Sequence, residues 1–436
     1  MALGLFPTLL FAQNPPEGVR LGLRYQPEYL PKLVVLPFAA QTGAEAMTQP
    51  VSGIVRRDLD YGDRFELLDA GVGAVPGATV NLSLWKERGA DWVLEGELTP
   101  GDASGSRLRL VLHDAVYGRV RGEYTFALPA QGDPGFRLAV HAASDEVTRW
   151  ATGTPGPASS RIAFVLQARG AKEMYVIDYD GENVQRLTND GSIVLSPAWA
   201  PDGRQIAYMS YASGVPYLYE MDLASGRTRV ISDRDGLNAT PDYSPDGSLI
   251  AFATSVAGNT EVATIRRDRS GGVQRQTTGR GSDSLSPSFS PDGRRFAFES
   301  NRLGEPHIYV MSVGGNDARL VSDYAYGVRS YNTSPDWAPT GEKIAYHTRI
   351  NDIHQIVVVD LADGSRRLLT NEWWNEDPSW GPDGRHLVMS SRDRDGGGLF
   401  ILDTVSGRIR PLLRGVGYGL PAWSPALLRT QSPAVR

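Results

Sequence analysis

Histidine is the side chain best suited to bind a metal or move a proton near neutral pH. This chain has six: His113, His141, His307, His347, His354 and His386. Their spacing offers little. None falls in a His-Glu-x-x-His pattern, which would set two imidazoles on one helical face around zinc. His113 sits in a stretch that reads as a strand and is expected to be structural. His141 lies off the apolar stripe of its helix and is expected to be solvated. His347 and His354 flank a loop, which is weak ground for a metal. The run DRDGGG (393–398) resembles a calcium loop but lacks alternating Asp/Asn ligands and a closing Glu, so it reads as a turn. No Gly-x-Ser-x-Gly elbow, Walker loop or post-strand Gly-x-Gly-x-x-Gly occurs. Cysteine is absent, which excludes thiol catalysis, disulfides and cysteine metal sites. No catalytic residue, metal or cofactor is expected.

Aromatic and arginine side chains that turns leave exposed are the other candidates, because such residues anchor protein interfaces. Trp373 and Trp374 are adjacent, so one inward strand face can hardly bury both. Tyr324, Tyr326, Arg329 and Tyr331 crowd the longest loop. What these residues can do depends on the elements that hold them.

Those elements repeat. The phrase SPAWAPDGRQIAY (196–208) recurs as TPDYSPDGSLIAF (240–252), SPSFSPDGRRFAF (286–298), SPDWAPTGEKIAY (334–346) and DPSWGPDGRHLVM (377–389). Its second proline falls at 201, 245, 291, 339, 382 and, in a truncated copy, 425, in steps of 43 to 48 residues. Each phrase reads as a short strand carrying one aromatic, a Pro-Asp-Gly turn, and a second strand of β-formers. Third strands follow, such as MYVID (174–178) and LFILD (399–403), and then fourth strands, such as TRVIS (228–232). Four antiparallel strands per unit define a β-propeller blade, and six third strands predict six blades. The first unit starts abruptly at RIAFV (161–165), and LPAWSP (420–425) supplies its missing strand. One blade is therefore expected to draw on both ends of the chain, closing the ring and removing open edges.

In front of the ring, KLVVLPFA (32–39), FELLDA (65–70), DWVLEGEL (91–98), RLRLVLHDAV (107–116) and RGEYTFAL (121–128) read as strands. Met47, Val51, Ile54, Val55 and Leu59 lie at helical spacing, as do Phe136, Val140, Ala143, Val147 and Trp150. The expected organisation is an apolar leader (1–12), an extended segment (13–30), an α/β domain (31–152), a linker (153–160), the propeller (161–427) and a tail (428–436). The leader suits the apolar region of a secretory signal peptide, although it lacks a basic start; an apolar tail is the alternative. No later stretch approaches a membrane span. A net charge of −6 and a pI near 5.6 argue against a nucleic-acid binder.

VVLPFA, ADWVLEGELTP, HAASDEVTRWATG and SPAWAPDGRQIAY together resemble the TolB family of periplasmic propeller proteins in the Tol-Pal envelope system, over nearly all the chain after the leader. The resemblance implies a non-enzymatic, monomeric, periplasmic adaptor. It would hold the peptidoglycan-associated lipoprotein Pal on the propeller's loop face and a TolA-like, inner-membrane-anchored protein through its N-terminal segment. The physiological role implied is outer-membrane integrity and constriction at division. Here that segment is EGVRLGLRYQPEYL (17–30), whose VRLGL could add as a strand to a partner sheet. The variable loops joining one blade to the next are where recognition can be encoded. Besides the six residues named above, the candidate partner-binding residues there are Asn189, Asp190, Asp233, Asp235, Asn238, Arg280, Asp283, Asn375 and Tyr418. The alternative is a propeller, enzymatic or not, that binds a small ligand or sugar in its channel, which would require ionisable groups converging on that channel.

Overall fold

In a computed structural model, residues 29–428 are described, apart from 72–73, 103–104, 257, 280, 324–329 and 395. The leader, nearly all of the extended segment and the tail lie outside the described residues, as do Arg280, Tyr324, Tyr326 and Arg329.

The first domain contains β1 (Lys32–Val35), β2 (Ala39–Ala40), α1 (Thr48–Tyr61), β3 (Glu66–Leu68), α2 (Leu82–Glu87), β4 (Trp92–Pro100), β5 (Ser106–Asp114), β6 (Arg119–Leu128) and α3 (Phe136–Thr152). The sheet runs β3-β1-β4-β5-β6, with β2 paired to β4. Alternation along β1 explains the layering. Leu33 and Val35 face the core made by Val51, Val55 and Leu59 of α1 with Val140, Ala143 and Val147 of α3. Val34 faces the other way, onto Trp85 of α2. Gly122 in β6 is required by space: a Cβ there would lie 2.2 Å from the Trp150 ring.

Each of the six four-stranded sheets is one blade. The inner strands of blades 1 to 6 are Val194–Trp199, Asn238–Tyr243, Ser284–Phe289, Asn332–Trp337, Trp374–Trp380 and Tyr418–Trp423. Blade 6 joins the chain ends as the half repeat predicts. Trp423 pairs with Ile162, Ala422 with Ala163 and Gly419 with Val165. Around that seam, Trp423 Nε1 donates to Ser160 Oγ at 2.7 Å; the Arg161 N–H donates to Ser424 Oγ and the Ser424 N–H to the Arg161 carbonyl, both at 2.9 Å.

The Pro-Asp-Gly turn has one more working part than the sequence reading gave it. The turn glycines 203, 247, 293 and 384 take φ between 62° and 71°, where other residues are strained. The aspartate also acts: Asp202, Asp246, Asp292 and Asp383 each accept from the backbone N–H two residues on, at 2.9–3.0 Å.

The inner strands were expected to be simple and are not. Ser196, Thr240, Ser286, Ser334, Asp377 and Leu420, each just before the first proline of its phrase, have φ of 45–53°. Register breaks there in all six blades, for example between Leu195 and Ala198. Proline cannot donate to the ladder, so the strand bulges around it. Each left-handed residue costs about 1–3 kcal/mol, and the surrounding pairing must supply it.

Candidate functional site

Successive antiparallel strands place the Pro-Asp-Gly turns at one end of the ring and the inter-blade loops at the other. The first domain sits on the turn end. Beside the blade 5 turn, Arg385 binds Asp403 at 2.7 Å and donates to the Asp63 carbonyl at 2.7 Å, while Arg408 reaches the Asp63 carboxylate at 2.8 Å. On blade 6, Asp180 takes Arg57 at 3.2 Å and Arg137 at 2.5 Å. Arg410 lies 4.1 Å from the Tyr61 ring centre and 4.6 Å from that of Tyr179. These contacts leave the loop end open among the described residues.

On that open end, blades 4 and 5 share an aromatic cluster. The His354 ring stacks with Tyr331 at 5.6 Å and with His347 at 4.8 Å, and meets Trp374 at 4.4 Å. Arg349 lies over Tyr331 and Arg392 over Trp374, at 5.3 and 5.8 Å. His354 Nδ1 bonds Glu376 at 2.6 Å. Trp374 begins the blade 5 inner strand and does not lie in the exposed loop expected for it; Trp373, just outside with φ 58°, stays 42% exposed.

His347, His354 and Glu376 offer donor atoms within 4.8 Å of one another, close enough to ask whether they would hold a metal. The hydrogen bonds argue otherwise. His347 Nδ1 accepts from the Asp377 N–H at 3.2 Å, so Nε2 carries the proton and donates to Thr333 Oγ1 at 2.6 Å. Burial, helped by His354, pushes its pKa down to about 4, so this ring is neutral with both nitrogens committed. Asp58, His141 and Asp180 form a second such group. His141 is a correction to the sequence reading. It is buried, not solvated, with Nδ1 bonded to Asp58 at 2.8 Å, because α1 packs across the side of α3 that carries it. Asp180 already meets two guanidiniums, so a cation there would face their charge.

The other predicted loop residues divide. Asn189, Asp190 and Asp235 are exposed, Asp233 pairs with Arg269 at 3.1 Å, and Asp283 accepts from the Thr260 N–H at 2.8 Å. Tyr418 packs edge-on against Phe164 at 5.7 Å. Asn238 and Asn375 are corrections. Both are buried, Asn238 bonded to Ser232 and the Arg234 carbonyl, and Asn375 to the Glu372 carbonyl. Their amides close the loop that leads into each blade, so they face no partner.

Sequence reasoning missed the channel wall. Asp242, Asp336 and Asp377 line a channel of about 510 Å³. Burial pushes Asp242 up to about 7 and Asp336 and Asp377 up to about 6. In four blades the side chain before the aromatic accepts from the backbone N–H of the next blade's aromatic residue: Asp242 from Phe289 at 2.7 Å, Ser288 from Trp337 at 2.9 Å, Asp336 from Trp380 at 2.6 Å and Ser379 from Trp423 at 3.1 Å. The signal was present as the third letter of each phrase, which reads Ala, Asp, Ser, Asp, Ser, Ala around the ring.

Fold and site define a six-bladed β-propeller behind a small α/β domain, with one end covered and an aromatic rim at the other. Residues 149–427 match the TolB beta propeller domain and residues 28–120 the TolB amino-terminal domain. The crystal structure of TolB from Acinetobacter baumannii superposes with a TM-score of 0.79 at 29% identity, over 92% of this chain and 98% of that one. The Tol-Pal system protein TolB of a Polaromonas species is 33% identical over 47% of this chain, and that of Geobacter sulfurreducens 35% over 36%. The matched stretches span 45% and 37% of those two relatives, less than half of each. The chain belongs to the TolB family.

Proposed function

We propose that this chain is a non-enzymatic adaptor of the Tol-Pal system, resident in the periplasm. Its loop face holds a Pal-like lipoprotein, and the segment Glu17 to Leu30 engages a TolA-like protein anchored in the inner membrane. Together these contacts support outer-membrane integrity and constriction at division. One observation carries the reading. The first domain packs on the turn end, leaving the opposite rim open with Trp373, Tyr331 and Trp374 upon it. Family membership supports it, since the relatives are named as Tol-Pal proteins.

The test is the affinity for the soluble domain of a Pal-like lipoprotein. Trp373→Ala should weaken it about tenfold, as loss of an aromatic anchor does, with the thermal melt unchanged. Wild-type protein that does not bind the domain would end the proposal. Deleting Gln13 to Tyr29 should abolish capture of the TolA-like protein alone, and undiminished capture would discard that contact. A small ligand in the channel is the second reading, favoured by the three lining aspartates. Asp242 and Asp336 already link neighbouring blades and Asp377 accepts from Ser334, which weighs against it.

A further inference from the structure

One inner-strand position changes character in the closing blade. Leu195, Ala239, Leu285, Thr333 and Glu376 occupy it in blades 1 to 5, and Gly419 in blade 6. Gly419 is not in the left-handed region, and a Cβ there would meet no atom within 4 Å. Neither backbone nor packing requires glycine, and glycine inside a strand costs about 0.5–1 kcal/mol relative to alanine. The missing side chain leaves space instead. Gly419 lines a cleft of about 610 Å³ on the loop end, where blade 6 meets blade 5.

The cleft has a definite chemistry. Trp374 and Tyr418 form apolar walls, and Arg392 and Lys172 bring cations. The Arg392 side chain is 74% exposed, with Glu376 only loosely paired at 3.5 Å. Lys172 has no carboxylate partner among the described residues. The acids that line the cleft are committed elsewhere: Glu376 to His354 at 2.6 Å, and Asp377 to Ser334 at 3.0 Å.

We infer that this cleft binds an extended acidic peptide segment of a protein partner. Its backbone passes over Gly419, and a carboxylate side chain is held by Arg392 and Lys172. A bare α-carbon lets another backbone approach closely, and a guanidinium and an ammonium lining one cleft select carboxylates. A cleft of this size takes a few residues rather than a lone acid. The inference rests on the loop-face docking reading and deepens it.

Fluorescein-labelled octapeptides of alternating Gly-Glu and alternating Gly-Gln are titrated by anisotropy against the full chain. The same is done for Gly419→Leu and for the double variant Lys172→Gln with Arg392→Gln. The acidic peptide should bind about tenfold tighter than its amide twin, and each variant should lose about tenfold, the size of effect expected for a desolvated charge pair. Melts report whether Gly419→Leu folds; the double variant, altered at side chains that no buried ion pair uses, keeps the test decisive if it does not. Equal binding of the two peptides, or acidic-peptide binding unmoved by the double variant, overturns the inference. The soluble Pal-like domain is titrated in parallel. If it binds wild type and the double variant alike, the cleft inference fails and the docking reading stands. If it binds neither while the acidic peptide behaves as expected, the docking reading fails and the cleft stands.

Discussion

Trp373 and Trp374 are neighbours with different tasks. Trp373 keeps 42% of its surface exposed, whereas Trp374 rests against His354 and beneath Arg392. Trp373→Ala should therefore change unfolding free energy by less than about 0.5 kcal/mol, and Trp374→Ala should cost about 2 kcal/mol. Urea unfolding of the two variants checks this, and equal midpoints would deny Trp374 its packing role. The channel acids make a second residue-scale prediction. Asp242, Asp336 and Asp377 have pKa values raised by burial, so the folded chain binds more protons than the unfolded one between about pH 4 and 7. Stability from these groups thus falls as pH rises through that window. Asp336→Asn keeps an acceptor for the Trp380 N–H and removes one titration, so the fall in melting temperature from pH 5 to 7.5 should shrink; an unchanged slope would exclude Asp336 as a contributor. The sequence exposed the rim tryptophans because two adjacent large rings cannot share one strand face. It hid Asp242 and Asp336 because one letter varying among Ala, Asp and Ser in a short strand looks like filler. Only the ring shows that this letter faces the next blade.

The closing strand illustrates how far an element can be read from letters. A half phrase at the end and a headless phrase at Arg161 have one economical solution, and the register of Trp423 on Ile162 is that solution. Trp423 is buried, and its indole N–H reaches Ser160 at 2.7 Å. Trp423→Ala should cost about 3–5 kcal/mol, as removing a packed aromatic does. Ending the chain at Gly417 should expose a sheet edge and drive association. Sedimentation of the shortened chain reads the second outcome, and a well-behaved monomer of native stability would contradict it. The bulges were not legible. Ser-Pro or Thr-Pro before an aromatic suggests a turn or a strand start equally well, and only pairing to a neighbour shows which residue is left over. His141 failed for a related reason: the stripe on α3 was read against a single core, while α1 and the propeller each cover a further side.

At the scale of the whole molecule, the joint between the two domains is ionic. His386 donates toward Asp383 at 2.7 Å and lies 3.3 Å from Asp63 of the first domain, with Arg385, Arg408 and Asp403 facing the same group. Burial alone would lower the His386 pKa, but the two carboxylates outweigh it and raise it to about 9. The stability it gives is complete below about pH 6.5 and is lost as pH climbs through about 9. Calorimetry should show one cooperative transition near pH 7 that separates into two above pH 9. His386→Gln should show two at either pH, and a single transition throughout would remove the imidazole from the joint. The domain joint, the ring's seam and the Gly419 cleft all fall on blades 5 and 6. Tension applied between the first domain and a ligand on the far rim would run through those two wedges, shearing the ladder that holds the last strand. Blades 1 to 3 stand outside that line of force, so the ring's own fastening is also its mechanical fuse.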